Sequence, residues 1–198
     1  MRSLSSLSLL FLLLLGFPSC GNDASTTQED AALPAAPFGP LLEAETFDGT
    51  AYSTALGDLL TEITNPTDGK LDNEKAALYL TAVDAVISRQ PDYPNNPALA
   101  YRAAEVARAT GDFSKGIAYY DYVENSSQPF DQRPMALFMR AFTYDENVKD
   151  LEKARRDYEA FIAKYPDHDF ADDAALLLKN LGRSEEDILR EYEEKAGE

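Results

Sequence analysis

Apolar side chains in this chain recur with the period of an α-helix. Ala76, Tyr79, Leu80, Val83 and Val86 follow the i, i+3, i+4, i+7 spacing of one buried helical face. Stretches of useful length with strand-like alternation are missing, so the sequence predicts an all-α domain. The predicted helices are Thr50 to Ile63, Asp72 to Gln90, Asn96 to Gly111, Pro134 to Tyr144, Lys149 to Lys164, Asp169 to Asn180 and Ser184 to Lys195. Asn96 and Asp169 are predicted as N-caps.

Two segments of this helical region resemble each other. The segments 111–120 and 149–158 share an acidic residue, an apolar residue, a lysine, a small residue and a tyrosine at positions 38 residues apart. The segments 83–92 and 158–167 match in the same way at 75 residues, about two periods. A period of this length indicates stacked helix pairs.

Helix pairs of this period resemble tetratricopeptide (TPR) repeats, over residues 72–182. The residues that carry the resemblance are Gly111-Asp112-Phe113, the small residues Ala104, Gly116, Ala141 and Ala154, the aromatics Tyr120 and Tyr158, and Pro166. The resemblance implies a TPR-like α-α superhelix of about three helical hairpins with a C-terminal capping helix. Small residues allow the two helices of a hairpin to approach closely. A loop one residue longer at 145–149, and a second helix cut short at 125–127, make the predicted array irregular.

The N-terminus predicts export. Arg2 precedes an apolar run that ends at Gly16 and Pro18, which is shorter than the roughly 20 residues of a bilayer-spanning helix. The segment Phe17-Pro18-Ser19-Cys20-Gly21 resembles the lipobox of bacterial lipoproteins, with Ser19 as the small residue before the cysteine. This implies a signal peptide at residues 1–19 and lipidation of Cys20. Alternatively, Cys20 lies beside an ordinary cleavage site or inside the discarded peptide.

Three regions follow from this pattern. Residues 20–40 are small, polar and rich in proline, which predicts a lipidated flexible tether, and residues 41–198 form the TPR-like helical domain. Cys20 is the only cysteine of the 198 residues, so it has no intramolecular disulfide partner.

The charge excludes some partners. The formal net charge is −17, which makes nucleic acid a poor partner and disfavours anionic lipid surfaces. Attachment to the membrane is therefore expected through the lipid anchor.

The junction Tyr165 to Ala174 resembles that of envelope TPR lipoproteins, such as the TPR subunit of the outer-membrane β-barrel assembly machine, and of the TPR coordinator of the Tol–Pal system. The resemblance implies a non-catalytic scaffold that binds protein partners of the cell envelope. Gly21, in place of an aspartate, favours anchoring in the outer membrane, on its periplasmic face or exposed at the surface. The alternatives are an accessory module or enzyme of cell-wall or glycan processing, and a soluble periplasmic chaperone-like binder.

The resemblance also implies a binding surface. TPR proteins bind partners on the concave surface built by the first helix of each pair, which here comprises Tyr101, Glu105, Arg108, Phe138, Phe142 and Asp145. An equally weighted alternative is that the terminal helices close the short array and bury Phe138 and Phe142.

Other candidate chemistry is weak. His168 lies among aspartates, but Asp169 and Asp172 have the spacing of a helix cap and first turn. We therefore expect no metal, no cofactor and no catalytic residue. The basic cluster Lys149, Lys153, Arg155 and Arg156 is favoured as a solvated helix face over a partner site.

Overall fold

The computed structural model describes residues 34–64 and 69–196, and these residues form helices that pack in chain order. The all-α helical repeat arrangement predicted from the sequence is confirmed. The helices are α1 (Phe38–Glu43), α2 (Gly49–Ile63), α3 (Asn73–Arg89), α4 (Asn96–Ala109), α5 (Phe113–Asn125), α6 (Arg133–Phe142) continued by a π-helical segment (Thr143–Val148), α7 (Leu151–Lys164), α8 (Ala171–Asn180) and α9 (Glu185–Ala196).

Consecutive helices pair as antiparallel hairpins: α2 with α3, α4 with α5, and α6 with α7. In the second hairpin, Gly116 near the start of α5 faces Arg108 near the end of α4. Further along α5, the ring of Tyr120 contacts that of Tyr101, nearer the start of α4. The direction is the one that a short connection imposes on neighbouring helices.

Small residues lie where the helices of a hairpin touch, as the repeat pattern predicts. A Cβ atom at Gly116 would lie 2.9 Å from Cγ of Arg108 and 3.3 Å from the carbonyl oxygen of Ala104. Ala154, the equivalent residue of the third hairpin, is fully buried. A larger side chain at either position would push the two helices apart.

The core consists of two apolar clusters that meet within α6. Ala136 belongs to the cluster that extends from Phe38, whereas its neighbour Leu137 belongs to the cluster of α6, α7 and α8. Met135 and Met139 pack against both clusters. Helix α6 therefore joins the first two hairpins to the third.

Polar side chains connect successive hairpins. Tyr119 of α5 donates a hydrogen bond to Oδ1 of Asp84 on α3 at 2.6 Å. Arg140 of α6 bonds Asp121 of α5 at 2.6 Å and the buried Asp157 of α7 at 2.7 Å. Each hairpin is thus attached to the next by a charged or charge-assisted contact as well as by apolar packing.

Aspartates begin the second helix of all three hairpins in the same manner. In α3, Asp72 accepts a hydrogen bond from the backbone N–H of Lys75 at 3.1 Å. Asp112 accepts a hydrogen bond from the backbone N–H of Lys115 at 3.0 Å, and Asp150 accepts one from that of Lys153 at 3.2 Å. These caps satisfy helix N–H groups that have no partner within the helix.

Two predicted caps are wrong. The side chain of Asn96 does not cap α4; it is buried and donates to the carbonyl oxygen of Gln90 at 2.8 Å, which fastens the preceding turn. Asp169 does not cap α8, because the helix begins one residue later and Phe170 is the N-cap. The backbone N–H of Phe170 instead bonds Nδ1 of His168 at 3.2 Å.

The irregular segment at 145–149 is not the longer loop that the sequence predicts. Pro97 and Pro134 begin α4 and α6 and are 37 residues apart, whereas Gly111 and Lys149, which follow these helices, are 38 apart. The additional residue is taken up inside the helix, since a π-helical turn holds more residues than an α-helical one. Lys149 then adopts the left-handed conformation (φ 61°) that Gly111 adopts in the second hairpin (φ 83°).

The packed region includes residues that the sequence analysis assigns to the tether. Phe38 is 1% exposed, and its ring contacts Tyr52 of α2 edge-on at 5.4 Å between centroids. Helix α1 therefore belongs to the first apolar cluster.

Replacing Ala154 by leucine is expected to lower the free energy of unfolding by about 1–3 kcal/mol, because the added atoms overpack the contact between α6 and α7. The exposed Glu159 on the same helix is the control, and Glu159→Ala should change it by less than about 0.5 kcal/mol. Urea denaturation measures both. Equal effects would contradict this helix pairing.

Candidate functional site

The six residues predicted to bind a partner lie on the first helices of the second and third hairpins. They occupy equivalent positions 37 residues apart: Tyr101 and Phe138, Glu105 and Phe142, Arg108 and Asp145. We call this set the first-helix face. Whether it binds a partner stays a prediction.

Tyr101 and Phe138 are core residues more than surface residues, at 8% and 6% exposed. The ring of Tyr101 contacts those of Tyr120 at 6.0 Å and Phe130 at 5.8 Å between centroids. Phe138 contacts Tyr158 at 6.1 Å in the same way. These rings join the helices of each hairpin, so most of their surface is not accessible to a partner.

Glu105, Arg108 and Phe142 are half-buried. They form a row across the face in which each side chain contacts the next. Glu105 accepts a hydrogen bond from the Tyr120 hydroxyl and lies 3.7 Å from the Arg108 guanidinium. Arg108 in turn lies over the ring of Phe142, 5.9 Å from its centroid, which is a cation–π contact between α4 and α6. This row is the part of the first-helix face that a partner can reach.

Asp145 lies in the π-helical segment and is 7% exposed. Burial, together with the neighbouring charge of Glu146, raises the pKa of its carboxyl group. The hydroxyl of Tyr158 is 3.5 Å from Oδ2 of Asp145. The carboxylate is therefore less stable here than in water.

The same phenol-to-carboxylate pairing occurs in both hairpins. Tyr120 pairs with Glu105, and Tyr158 pairs with Asp145. Burial raises the pKa of both phenols, so each tyrosine stays neutral and donates a hydrogen bond to its carboxylate. The sequence shows Tyr120 and Tyr158 only as part of the repeat pattern; a carboxylate on the facing helix of each hairpin was the available signal for these pairs.

Two depressions include residues of the first-helix face. One, of about 190 Å³, lies between α2 and α4 and is mainly apolar, with Leu60, Ile63 and Val106 in its wall and Glu105 at its edge. The other, of about 400 Å³, lies between the π-helical segment, α8 and α9 and includes Asp145. Glu105 and Asp145 therefore each border a depression.

The other candidate residues are held by local contacts. His168 packs against the rings of Phe161 at 5.4 Å and Phe170 at 6.0 Å. In residues 34–64 and 69–196, no group of three or more metal-ligating side chains is placed to hold an ion.

In the basic cluster, Lys149 bonds Glu146 at 3.2 Å and Lys153 bonds Asp150 at 2.8 Å. Arg156 pairs with the buried Asp157 at 3.0 Å. Lys149, Lys153 and Arg156 therefore each form an ion pair with a carboxylate close by in the sequence.

The predicted lipidation site, Cys20, lies outside the described residues. Within the described part of the chain, none of the helices has the length and apolar character needed to cross a bilayer. Comparisons of the sequence with models of protein families, with curated proteins and with solved structures find no match.

Asp145→Asn is expected to raise the free energy of unfolding at pH 7. The native pKa of Asp145 is raised above its unfolded value. The carboxylate therefore lowers the free energy of unfolding as the pH rises through the range between these two pKa values. The gain should shrink as the pH falls towards about 4, where the unfolded side chain also takes up a proton. Urea denaturation across this pH range is the measurement.

The exposed Glu159 provides the control, because Glu159→Gln removes the same charge from a solvated position on α7. It should change stability by less than about 0.5 kcal/mol at either pH. An Asp145→Asn protein that is less stable than the wild type at pH 7 would contradict this prediction, because it would show that the contacts of the carboxylate stabilise the fold.

Proposed function

We propose that this chain is a lipid-anchored bacterial envelope protein of the TPR type, which acts as a non-catalytic scaffold for protein partners. The supporting observation is the repetition of one interior arrangement. The Tyr101 and Tyr120 rings lie 6.0 Å apart at 62°, and the Phe138 and Tyr158 rings lie 6.1 Å apart at 63°. A repeated interior produces a repeated outer face, which is how helical repeat proteins build extended binding surfaces.

The first-helix face is the proposed partner site, acting through its accessible row. Arg108 and Phe142 are half-buried and in contact, so they can present a cation and an aromatic edge together. Arginine and aromatic residues dominate the binding energy of many interfaces. Tyr101 and Phe138 then support the row from beneath.

Anchoring is proposed through Cys20 in the outer membrane. The support comes from the sequence: an apolar run too short to span a bilayer, a small residue before the cysteine, and a proline-containing segment after it. The strong acidity of the chain makes attachment by charge to anionic lipids unfavourable.

Metabolic labelling with a fatty-acid analogue tests the anchor. The wild-type protein should carry label and fractionate with the outer membrane, whereas Cys20→Ala should carry none. Equal labelling of the two proteins would exclude lipidation at Cys20. Recovery of the wild type in the soluble periplasm would favour the chaperone-like binder.

Site-specific photo-crosslinking in membranes tests the partner site. A photoreactive residue in place of Arg108 should yield a discrete crosslinked protein, and one in place of the exposed Arg155 should not. Adding Phe142→Ala should reduce the yield at position 108, because the apolar anchor is lost. Crosslinks at position 155, with the yield at position 108 unaffected by Phe142→Ala, would move the site to the basic cluster.

A further inference from the structure

Helix α8 begins in the same way as α6 but has no hairpin partner packed closely against it. The backbone N–H of Arg133 bonds the carbonyl oxygen of Phe130 at 3.2 Å, and that of Ala171 bonds the carbonyl oxygen of His168 at 2.8 Å. These turns are 38 residues apart, so α8 takes the place of a first helix in a further repeat.

Leu176 occupies the position in α8 that Tyr101 and Phe138 occupy in the preceding first helices. The three residues are spaced by 37 and 38 positions. Tyr101 and Phe138 are 8% and 6% exposed, and each contacts a tyrosine of the second helix, whereas Leu176 is 44% exposed. The apolar position that a second helix normally covers is open at this end.

Helix α9 starts as a second helix would, but it does not close onto α8. Ser184 accepts a hydrogen bond from the backbone N–H of Asp187 at 3.1 Å, as Asp112 and Asp150 do for the residues three positions later. Four residues after the cap, α5 and α7 have the small residues Gly116 and Ala154, whereas α9 has Ile188. A branched side chain at that position prevents the close approach that the other hairpins make.

Exposed apolar surface is concentrated at this end of the molecule. Among the described residues, the large apolar side chains that are more than a third exposed are Val148, Leu151, Phe170, Leu176 and Leu189. Leu189 on α9 is 58% exposed, and Glu191 of the same helix forms an ion pair with Lys179 of α8 at 2.9 Å.

Carboxylates border the exposed leucine. Asp172 and Asp173 precede Leu176 by four and three positions, which places them beside it on α8, and both are exposed. The cations of α8 and α9 pair elsewhere: Lys179, Arg183 and Lys195 with Glu191, and Arg190 with Asp187. Within the described part of the chain, Asp172 and Asp173 have no ion-pair partner.

We infer that the exposed face of α8 centred on Leu176 binds an amphipathic, basic helix from a partner protein. The apolar side of that helix would cover Leu176, as Tyr120 and Tyr158 contact Tyr101 and Phe138. Its lysine or arginine residues would pair with Asp172 and Asp173. This surface includes none of the six residues of the first-helix face, so the inference does not depend on the proposed function.

A second copy of the chain fits this surface less well than a basic partner. The formal net charge of −17 repels another copy at long range, and the border of the exposed face is itself acidic. A basic helix would be attracted by both features, and its apolar side chains would cover Leu176.

The test uses the full-length chain in a neutral detergent and a photoreactive helical peptide of about 16 residues with leucines on one face and lysines on the other. Crosslinks should map to α8. Leu176→Asp, and separately Asp172→Lys with Asp173→Lys, should each weaken binding about tenfold or more. Both changes are at exposed positions, and circular dichroism checks that the variants remain folded.

Three controls separate specific binding from general attraction to an acidic chain. A peptide with the same apolar face and glutamates in place of the lysines should bind at least about tenfold more weakly, although both peptides partition into the same micelles. Glu159→Lys changes the charge at an exposed position of α7 and should leave binding of the basic peptide unchanged. Phe142→Ala, in the first-helix face, should also leave it unchanged.

Equal binding by the wild type and Leu176→Asp, or by the basic and acidic peptides, would overturn the inference. So would sedimentation showing a dimer of the full-length chain that Leu176→Asp dissociates, since a second copy would then be the occupant. Failure of the crosslinking at Arg108 would leave these results unaffected.

Discussion

The close approach of two helices at a small residue is the contact on which the repeat arrangement depends. Gly116 and Ala154 let the helices of their hairpins come near enough for the tyrosine four residues later to reach the facing helix. The phenol hydroxyl then donates a hydrogen bond to a carboxylate on that helix. Burying the hydroxyl without such a partner would be costly. Where Ile188 replaces the small residue, α9 does not pack closely on α8, and Leu176 of α8 stays exposed.

The third hairpin shows how a helical repeat tolerates an additional residue. The insertion is absorbed as a π-helical turn at the end of α6, so the junctions before and after it keep their form. The turn carries Asp145 into a buried position next to Tyr158, at the expense of a raised pKa. Lys149 then takes the left-handed conformation otherwise held by glycine, because the chain must still turn directly into α7.

Periodicity and repeat spacing were sufficient to predict α2 to α9 and their pairing, because both follow from residues near in sequence, whereas α1 was missed and lies partly in the predicted tether. The contacts of Gly116 and Ala154 were predicted for the same reason. Details that depend on the third dimension were missed: Asn96 is buried beneath a turn and does not cap, and the loop at 145–149 is helical. For the candidate site, position along α4 and α6 was predictable. The burial of Phe138 was one of two equal alternatives, and that of Tyr101 was missed, since Phe130 and Phe170 come from distant junctions.

Helix α6 contributes neighbouring residues, Ala136 and Leu137, to two different apolar clusters. The boundary between the clusters therefore runs through a continuous helix and not through a loop. In stacked repeats, terminal units usually open separately because each contacts only its neighbours. Here the third hairpin cannot separate from the second unless α6 itself unwinds or withdraws one of its faces. The boundary thus makes the two parts of the core a single cooperative unit, whose integrity depends on a ten-residue helix.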